Sequence, residues 1–258
     1  MTLLDDKVVL VSGGSQGVGA AVVRAAAREG ASVVFTGRRA EPGEALAAEL
    51  TATGVQAAFV RTDVADVAQA KASVAATVSR FGRVDCLVNS AGLTTRGSLL
   101  DTTPELFDAH IAVNLRAPFF LMQGAVADML SRQAPGTIVN IISTSAHCGQ
   151  SFLTPYSTAK AGLAGLTRNA AHAHRFDRIR VNGLNIGWTD TEGEDATQRA
   201  FHGAGDDWRA QAGKSLPMGR LGRADEIAGF VVLLLSERSG VVTGSVIDWD
   251  QNVIGAID

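Results

Sequence analysis

The sequence predicts an α/β fold in a single domain spanning residues 1–258, a doubly wound parallel sheet with helices on both faces. Short runs rich in β-branched residues alternate along the chain with Ala-rich segments at helical spacing. The runs are apolar throughout, which is typical of parallel strands that are buried on both faces. Alternating strands and crossover helices predict right-handed connections and an open sheet.

Composition narrows the function classes. Hydrophobic residues make up 46% and charged residues 19% of the chain, values typical of globular proteins. The net charge is −3 without blocks of like charge, which argues against a nucleic-acid partner. No basic leader or apolar run of bilayer length is apparent, so we expect no membrane partner and a cytoplasmic location. For the two cysteines, Cys86 and Cys148, we predict neither a disulfide nor a catalytic role.

The strands follow from the apolar runs taken in order. The first, 7–12, is closed by Gly13-Gly14, and a helical segment starts after Gly17. Further strands are predicted at 32–36, 56–61, 84–89, 137–143 and 178–185. The polar, glycine-containing segment 188–217 follows a late strand end, where such sheets bind ligands, and we predict an irregular substrate lid there.

The turn after the first strand has the composition of a phosphate site. Gly13, Gly17 and Gly19 lie between strand and helix, where a side chain would obstruct the approach of a pyrophosphate. The helix that begins near Gly17 offers unpaired amide hydrogens and a positive dipole end. The alternative is a tight turn without a ligand, but the position directly after the first strand favours nucleotide binding.

The single tyrosine of the chain lies in Tyr156-Ser-Thr-Ala-Lys160, so a phenol and an ammonium are four residues apart on one helical face. A free phenol is a poor base at neutral pH, and lowering its pKa by about three units takes roughly 4 kcal/mol. A nearby ammonium and a nicotinamide charge can supply this, which predicts acid/base catalysis by Tyr156. The alternative is an ordinary exposed Tyr/Lys pair.

The spacing Gly-x3-Gly-x-Gly and the Tyr-x-x-x-Lys motif resemble those of the short-chain dehydrogenase/reductase family, whose members have a Rossmann fold. Asn89-Ser-Ala-Gly92 resembles the family's Asn-Asn-Ala-Gly element, with Ser90 in place of the second Asn. The resemblance covers nearly the whole chain. Two further departures are Ile186, where the family usually has Pro, and Gln251-Asn252, which replaces a common Gly-Gly.

The resemblance implies catalytic roles for Asn114, Ser143, Tyr156 and Lys160. Ser143 precedes Tyr156 by thirteen residues, and its hydroxyl would hold the substrate oxygen and the charge that develops on it. Ser145 competes with it on position alone. Asn114 would hold a water in the proton relay, although an Asn within a helix often only bonds backbone. Lys160 would tune the phenol and hold the cofactor ribose.

The cofactor-binding residues follow from the same resemblance. Asp63 resembles the family's adenine-contacting acid, and its alternative role is a helix N-cap. Thr191 matches the family's threonine that touches the carboxamide, and Thr189 competes for that role. The complete predicted set is Gly13, Ser15, Gln16, Gly17, Val18, Gly19, Arg38, Arg39, Asp63, Val64, Asn89, Ala91, Gly92, Tyr156, Lys160, Gly187, Thr189 and Thr191.

The end of the second strand favours NADP(H) over NAD(H). An NAD enzyme usually has an acid there for the ribose hydroxyls, whereas this chain has Gly37. The guanidinium of Arg38 can pair with a 2′-phosphate through two hydrogen bonds. NAD(H) remains possible, because Gln16 stands where many NADP members carry a basic residue and because Arg38 or Arg39 could pair with Glu41.

The predicted reaction is hydride transfer between nicotinamide and a carbonyl or secondary alcohol. A mixed, rather polar lining favours a small substrate such as a sugar or polyol. The alternatives are a reductase of 3-oxoacyl thioesters and a non-catalytic NADP-binding sensor. We predict no metal site, and the family resemblance implies a homo-oligomer, commonly a tetramer. The predicted substrate contacts are Ser143, His147, Gln150, Tyr156 and Trp188.

Overall fold

The computed structural model describes residues 2–147 and 150–253, so Cys148 lies outside the described residues. The strands are β1 Val8–Ser12, β2 Ser32–Gly37, β3 Ala57–Arg61, β4 Cys86–Asn89, β5 Gly136–Ile141, β6 Ile179–Ile186, β7 Thr189–Asp190, β8 Gly222–Arg223 and β9 Val246–Trp249. The α-helices are α1 Gly17–Arg28, α2 Ala40–Ala52, α3 Val67–Phe81, α4 Pro104–Ile111, α5 Ala117–Ser131, α6 Thr154–Ala173, α7 Glu192–His202, α8 Trp208–Lys214 and α9 Ala224–Leu235. A π-helical turn, Ala112–Arg116, joins α4 to α5 without a break.

Seven parallel strands of the described chain form one sheet in the order β3-β2-β1-β4-β5-β6-β9. Alternate side chains of each strand enter two different cores, as the period of two requires. Val9, Val11 and Phe35 pack with α1 and α9 on one face, whereas Leu10 and Leu87 pack with α3 and α5 on the other. This confirms the predicted doubly wound α/β architecture with a buried parallel sheet.

The strand order reverses direction between β1 and β4, and there the carboxyl ends of two neighbouring strands open a crevice. Ser12 pairs with Asn89, and the amide of Ser90 donates to the carbonyl of Ser12 at 3.1 Å. The loops that follow β1 and β4 therefore lie side by side. This crevice positions the glycine turn beside the Asn89–Gly92 segment.

The structure corrects two predicted strand ends. The fifth strand ends at Ile141 rather than at 143, because the Ser143 hydroxyl accepts from the Ser145 amide and begins a 3₁₀ turn. The fourth strand starts at Cys86 rather than at 84, and the Val84 amide donates to the Asp128 carboxylate at 2.9 Å.

Segment 188–217 is more regular than predicted, because it contains α7 and α8. The Thr191 hydroxyl caps α7 by accepting from the Glu194 amide. Asp195 on α7 accepts hydrogen bonds from Trp208 and Arg209 of α8, so the two helices are tied together. Hydrogen bonds from Arg199 and Trp208 also lower the pKa of Asp195 well below its usual range. We keep the name lid segment for residues 188–217.

None of the helices in residues 2–147 and 150–253 combines the length and apolar character that crossing a bilayer requires. Those same stretches hold no cluster of three or more His, Cys, Asp or Glu side chains arranged for a metal ion.

Phe35 tests the sheet core. Its side chain is fully buried on β2 and packs against Phe59. We expect Phe35→Ala to lower the free energy of unfolding by about 3–5 kcal/mol, because it leaves a cavity between β2 and the helices. Phe176→Ala is the matched control, since that ring is 86% exposed, and should change the value by less than about 0.5 kcal/mol. Equal losses in urea denaturation would contradict this core assignment.

Candidate active site

Tyr156, Ser143 and Lys160 lie together at the carboxyl end of the sheet. Tyr156 is in the first turn of α6, and Lys160 follows one turn later. Ser143 lies two residues beyond the end of β5, where the chain leaves the sheet. Ser143 and Tyr156 both line a cavity of about 530 Å³. The predicted acid/base residue and the predicted oxygen-binding serine thus face one space.

Lys160 is buried, with 4% of its surface exposed, and its ammonium donates to the Ile141 carbonyl at 2.8 Å. The nitrogen lies 5.7 Å from the centre of the Tyr156 ring. Burial lowers the pKa of Lys160 to about 8, because the charged form loses hydration. An ammonium has three N–H donors, and one is used by an acceptor among the described residues, so two remain for a ligand.

Burial also dominates the titration of Tyr156 and raises the pKa of its phenol to about 12. The neighbouring Ser143 hydroxyl and the Arg96 charge lower this pKa, whereas the Glu194 charge raises it. The sequence analysis expected a lowered value from Lys160. In the structure the desolvation of the phenol outweighs that effect, so the phenol is protonated at neutral pH and is ready to donate.

Asn114 lies in the π-helical turn and is fully buried. Its amide oxygen accepts from the Leu93 amide at 3.0 Å, and its nitrogen donates to the Leu93 carbonyl at 3.0 Å. The same nitrogen lies 3.2 Å from Nδ1 of His110, whose Nε2 lies 3.0 Å from the Thr95 carbonyl. Asn114 therefore holds the loop after β4, as the backbone-bonding alternative anticipated. Sequence reasoning missed His110, although it precedes Asn114 by one helical turn.

The glycine turn leaves room for a phosphate and has little room for side chains. A Cβ at Gly13 would lie 2.6 Å from the backbone of Ala91, and a Cβ at Gly19 would collide with the Gly13 carbonyl. Gly17 has a φ of 54°, which favours glycine. No side chain caps the amino end of α1 at Gln16, so the first amides remain available to an anion. These features fit the pyrophosphate of a dinucleotide.

Asn89 closes the other side of the crevice. Its amide nitrogen donates to the Asn140 side chain at 2.8 Å, which fixes its orientation. The Asn89 amide oxygen is buried and has no hydrogen-bond partner among the described residues. A buried acceptor without a donor is costly, so its free oxygen fits a ligand that supplies an N–H or O–H. Ala91 and Gly92 continue this wall beside the glycine turn.

The end of β2 carries glycine in place of an acid. A Cβ at Gly37 would meet the Ser15 hydroxyl, so a larger residue at this position would require the Ser15 side chain to move. The Arg39 guanidinium donates to the Gln16 side chain and thereby stands beside the glycine turn. Among the described residues neither Arg38 nor Arg39 forms an ion pair with Glu41 within 4.0 Å. The basic residues thus stay available to a 2′-phosphate.

Asp63 and Val64 follow β3 at the same edge of the sheet. The alternative that Asp63 caps α3 is wrong, because Asp66 caps that helix by accepting from the amides of Ala68 and Gln69. The Asp63 carboxylate instead accepts a hydrogen bond from the Ala65 amide at 3.0 Å. The backbone amide of Asp63 donates to the Gln69 side chain, which also holds this residue in place. Asp63 is exposed, whereas Val64 is buried.

Gly187, Thr189 and Thr191 lie between β6 and α7 and line the cavity. The buried Thr189 hydroxyl donates to the Gly187 carbonyl at 3.0 Å. Thr191 lies next to the glycine turn, since a Cβ at Gly17 would be 3.6 Å from its methyl group. The geometry therefore favours Thr191 over Thr189 for contact with a ligand that spans the crevice.

Of the predicted substrate contacts, Ser143, Gln150, Tyr156 and Trp188 line the cavity. His147 does not: its imidazole is directed to the Asp248 carboxylate, with Nε2 2.6 Å from Oδ1. The contact with β9 holds His147 away from the substrate space, which corrects its assignment as a substrate residue.

Helix α7 contributes a polar stripe to the cavity, because Glu194, Gln198 and His202 recur every four residues on one face. Arg96, in the loop after β4, lies opposite and donates to Nε2 of His202 at 3.2 Å. The sequence analysis missed Arg96. The available signal was its place after a strand end, the edge at which such sheets bind ligands.

The chain is similar over nearly its whole length to one family model, to dehydrogenases and to solved structures. Residues 13–251 match a family model described as enoyl-(acyl carrier protein) reductase. The chain is 37% identical over 249 residues, 94% of each chain, to L-rhamnose 1-dehydrogenase (NAD(P)(+)) of Azotobacter vinelandii. It is also 37% identical over 251 residues to the probable galactose dehydrogenase GalD of Rhizobium meliloti, covering 97% of this chain and 96% of that one. A mutant actinorhodin polyketide ketoreductase solved with NADPH superposes with a TM-score of 0.90 at 30% identity, covering 97% of this chain and 98% of that chain.

The phenol can be titrated alone, because Tyr156 is the only tyrosine. We expect phenolate absorbance to rise with a pKa of about 12 in the folded protein, against about 10 in denaturant. Because folding raises this pKa, the neutral phenol stabilises the fold below pH ~10, and that stability is lost as the pH rises toward the folded pKa. A folded midpoint at or below the denatured one would contradict the burial argument.

A charge variant on α7 separates the causes. Glu194→Gln should lower the pKa of Tyr156, because the Glu194 carboxylate raises it. Glu192→Gln on the exposed side of α7 is the matched control and should leave the titration unchanged.

Proposed function

Since this chain belongs to the short-chain dehydrogenase/reductase family and is an NAD(P)-dependent oxidoreductase, we propose that it oxidises a secondary alcohol of a sugar or polyol, or reduces the corresponding carbonyl. The observation that carries the proposal is the shared cavity. Tyr156 and Ser143 line it together with Gly187 and Thr191 of the nucleotide crevice and with the polar stripe of α7. One space therefore joins the acid/base group, the cofactor side and a polar substrate wall.

The proposed chemistry assigns one task to each residue. The bound nicotinamide supplies or accepts the hydride at the reacting carbon. Tyr156 donates its phenolic proton to the carbonyl oxygen during reduction and accepts the hydroxyl proton during oxidation. Ser143 donates a hydrogen bond to the same substrate oxygen and stabilises its developing charge. Its proximity to Tyr156 is reflected in the lowering of the phenol pKa.

Lys160 and Asn114 support this pair. The two unused N–H donors of the Lys160 ammonium are available to the ribose hydroxyls and to a water, while the Ile141 carbonyl holds the ammonium in place. Asn114 acts as a positioning residue, because its amide holds Leu93 through two hydrogen bonds at 3.0 Å. We propose that its remaining acceptor capacity holds the relay water that the family resemblance implies.

NADP(H) is the proposed preferred cofactor, with NAD(H) as the alternative. Position 37 carries glycine rather than an acid, and two guanidinium groups follow directly. The Rhizobium and Azotobacter relatives do not decide this preference, since the latter carries both cofactors in its name. The basic pair beside the turn supports recognition of a 2′-phosphate.

Two rival functions fit less well. A reductase of 3-oxoacyl thioesters needs an apolar channel for an acyl chain, whereas Glu194 and Gln198 of the lid segment and Arg96 of the loop after β4 place polar and charged groups in this cavity. A non-catalytic NADP sensor needs the glycine turn but no phenol and serine facing a substrate cavity. The hydride-transfer proposal accounts for both features.

We also propose that residues 1–258 form one NAD(P)-binding domain whose lid segment covers the substrate.

A cytoplasmic homotetramer is proposed, with contacts through the helices that carry Asn114 and Tyr156 and through β9. The exposed rings of Phe107 on α4 and Phe119 on α5, 40% and 45% exposed, support a subunit interface on that side.

Tyr156→Phe removes the proton donor and leaves the ring. We expect kcat with a polyol substrate to fall by about 10²–10⁴-fold, while the Kd for NADPH stays within about twofold. Thr158→Ala, on the exposed side of the same helix, is the control and should keep full turnover. Turnover of the Tyr156→Phe variant at the wild-type rate would refute the assigned proton donor.

Arg38→Ala and Arg39→Ala test the phosphate preference. Each should raise the Kd for NADPH by about tenfold and change the Kd for NADH little, because only the former offers a 2′-phosphate to the guanidinium. Arg28→Ala, at the far end of α1, is the matched loss of one charge. Cofactor fluorescence titration gives both constants, and equal wild-type affinities for the two cofactors would overturn the preference.

A further inference from the structure

Arg96 has an unusual position for an arginine in this protein. It is partly buried, lines the substrate cavity and packs over the ring of Phe152, with 5.3 Å between the guanidinium carbon and the ring centre. A second ring, that of Phe201, lies 5.9 Å away. The two rings hold the planar guanidinium by cation–π contacts.

The hydrogen-bond donors of Arg96 are only partly used. Its Nη1 donates to the Thr94 carbonyl at 3.0 Å, and its Nε and Nη2 share Nε2 of His202 at 3.2 and 3.0 Å. A guanidinium has five N–H groups, so two remain without an acceptor among the described residues. Because the Nε and Nη2 groups of Arg96 share one imidazole nitrogen, each of these two hydrogen bonds is weaker than an unshared one.

Arg180 shows how this chain satisfies an arginine with a structural role. Its two Nη atoms donate to backbone carbonyls and to the hydroxyls of Ser239 and Thr137 at distances from 2.6 to 3.4 Å. Arg96 has no comparable set of acceptors. The difference indicates that Arg96 is kept for a group that enters the cavity.

Charge points in the same direction. Within the described residues no Asp or Glu oxygen lies within 4.0 Å of the Arg96 guanidinium. Burial lowers the pKa of Arg96, which expresses the cost of keeping this cation partly dehydrated. The side chain nevertheless stays charged at neutral pH. The Glu194 carboxylate offsets part of this cost through its charge, although it lies beyond ion-pair distance, and a bound anion would stabilise the guanidinium further.

Glu194 limits which anion fits. Its Oε1 accepts from the indole N–H of Trp188 at 2.7 Å and from the Gln198 amide at 2.8 Å, and its other oxygen has no donor in the part of the chain that the structure describes. A carboxylate oxygen suits substrate hydroxyls, which donate hydrogen bonds. Its negative charge opposes a dianionic phosphate more than a monoanionic carboxylate. Arg96 and Glu194 both affect the pKa of Tyr156, so both lie near the reacting centre.

We infer that the natural substrate is a polyhydroxy acid, in which Arg96 binds the carboxylate through its free N–H donors and Glu194 binds hydroxyl groups. The inference rests on the proposed function and names the substrate class of the same site. Arg96 and its aromatic neighbours form the carboxylate end, Tyr156 and Ser143 face the oxidised carbon, and α7 contributes the hydroxyl-binding side. A neutral sugar or polyol leaves the guanidinium without its partner.

The test compares neutral alcohols with acids of the same carbon chain. The full-length protein with NADP⁺ is assayed on sorbitol against gluconate and on galactitol against galactonate. We expect kcat/KM for each acid to exceed that of its alditol by about tenfold or more. Arg96→Gln should remove this advantage, because it lowers kcat/KM for each acid about tenfold more than it lowers kcat/KM for the matching alditol. Arg96→Lys should restore part of it, and Arg28→Gln should leave it intact.

Binding is measured separately from turnover. Calorimetric titration of the NADPH-loaded protein with gluconate and with sorbitol should show tighter binding of the acid, and this difference should vanish in Arg96→Gln. Binding of the acid without oxidation of any alcohol would support the carboxylate site and contradict the proposed function. Oxidation of alditols and acids at equal kcat/KM, unchanged by Arg96→Gln, would support the proposed function and overturn the inference. Tighter binding of sorbitol 6-phosphate than of gluconate would overturn the assignment to a carboxylate.

Discussion

The hydrogen bond from the Lys160 ammonium to the Ile141 carbonyl determines where the rest of the site lies. It ties α6 to the end of β5 at 2.8 Å, deep in the molecule. Because Tyr156 precedes Lys160 by one helical turn and Ser143 follows Ile141 by two residues, the same contact places the phenol beside the serine. A buried ammonium with one protein acceptor is expensive to maintain. Among the described residues the Ile141 carbonyl is its one hydrogen-bond acceptor, which leaves two N–H donors for a ligand.

Several effects raise the pKa of the Tyr156 phenol and others lower it. Burial and the Glu194 carboxylate favour the neutral phenol, whereas the Ser143 hydroxyl and the Arg96 charge favour the phenolate. Glu194 lies on the lid segment and Arg96 in the loop after β4, so the environment of the phenol is assembled from two parts of the chain that line the same cavity. The site therefore couples proton affinity at the reacting centre to the position of α7.

The sequence was sufficient for features that depend on local physics. Apolar runs predicted the sheet, and Gly13, Gly17 and Gly19 predicted a turn whose close contacts the structure explains. Features that depend on distant partners could not be predicted in this way. His147 lies near Ser143 in the chain, yet Asp248 of β9 draws it away from the cavity. The position of Arg96 depends on its contacts with Phe152 and His202, which are distant in sequence. The helices of the lid segment are joined by the hydrogen bonds that Asp195 accepts, which no apolar periodicity predicts.

The π-helical turn between α4 and α5 limits how the continuous helix formed by these three segments can vary in length. Each residue of a regular α-helix is rotated by about 100° about the helix axis relative to the residue before it. A π-turn holds one extra residue, which lets Asn114 point toward the Leu93 loop while Leu121 and Met129 further along still face the sheet. Deleting a single residue here would restore regular geometry but rotate one half of the helix relative to the other. A single-residue deletion within Ala112–Arg116 would therefore turn either Asn114 away from Leu93 or Leu121 away from the sheet.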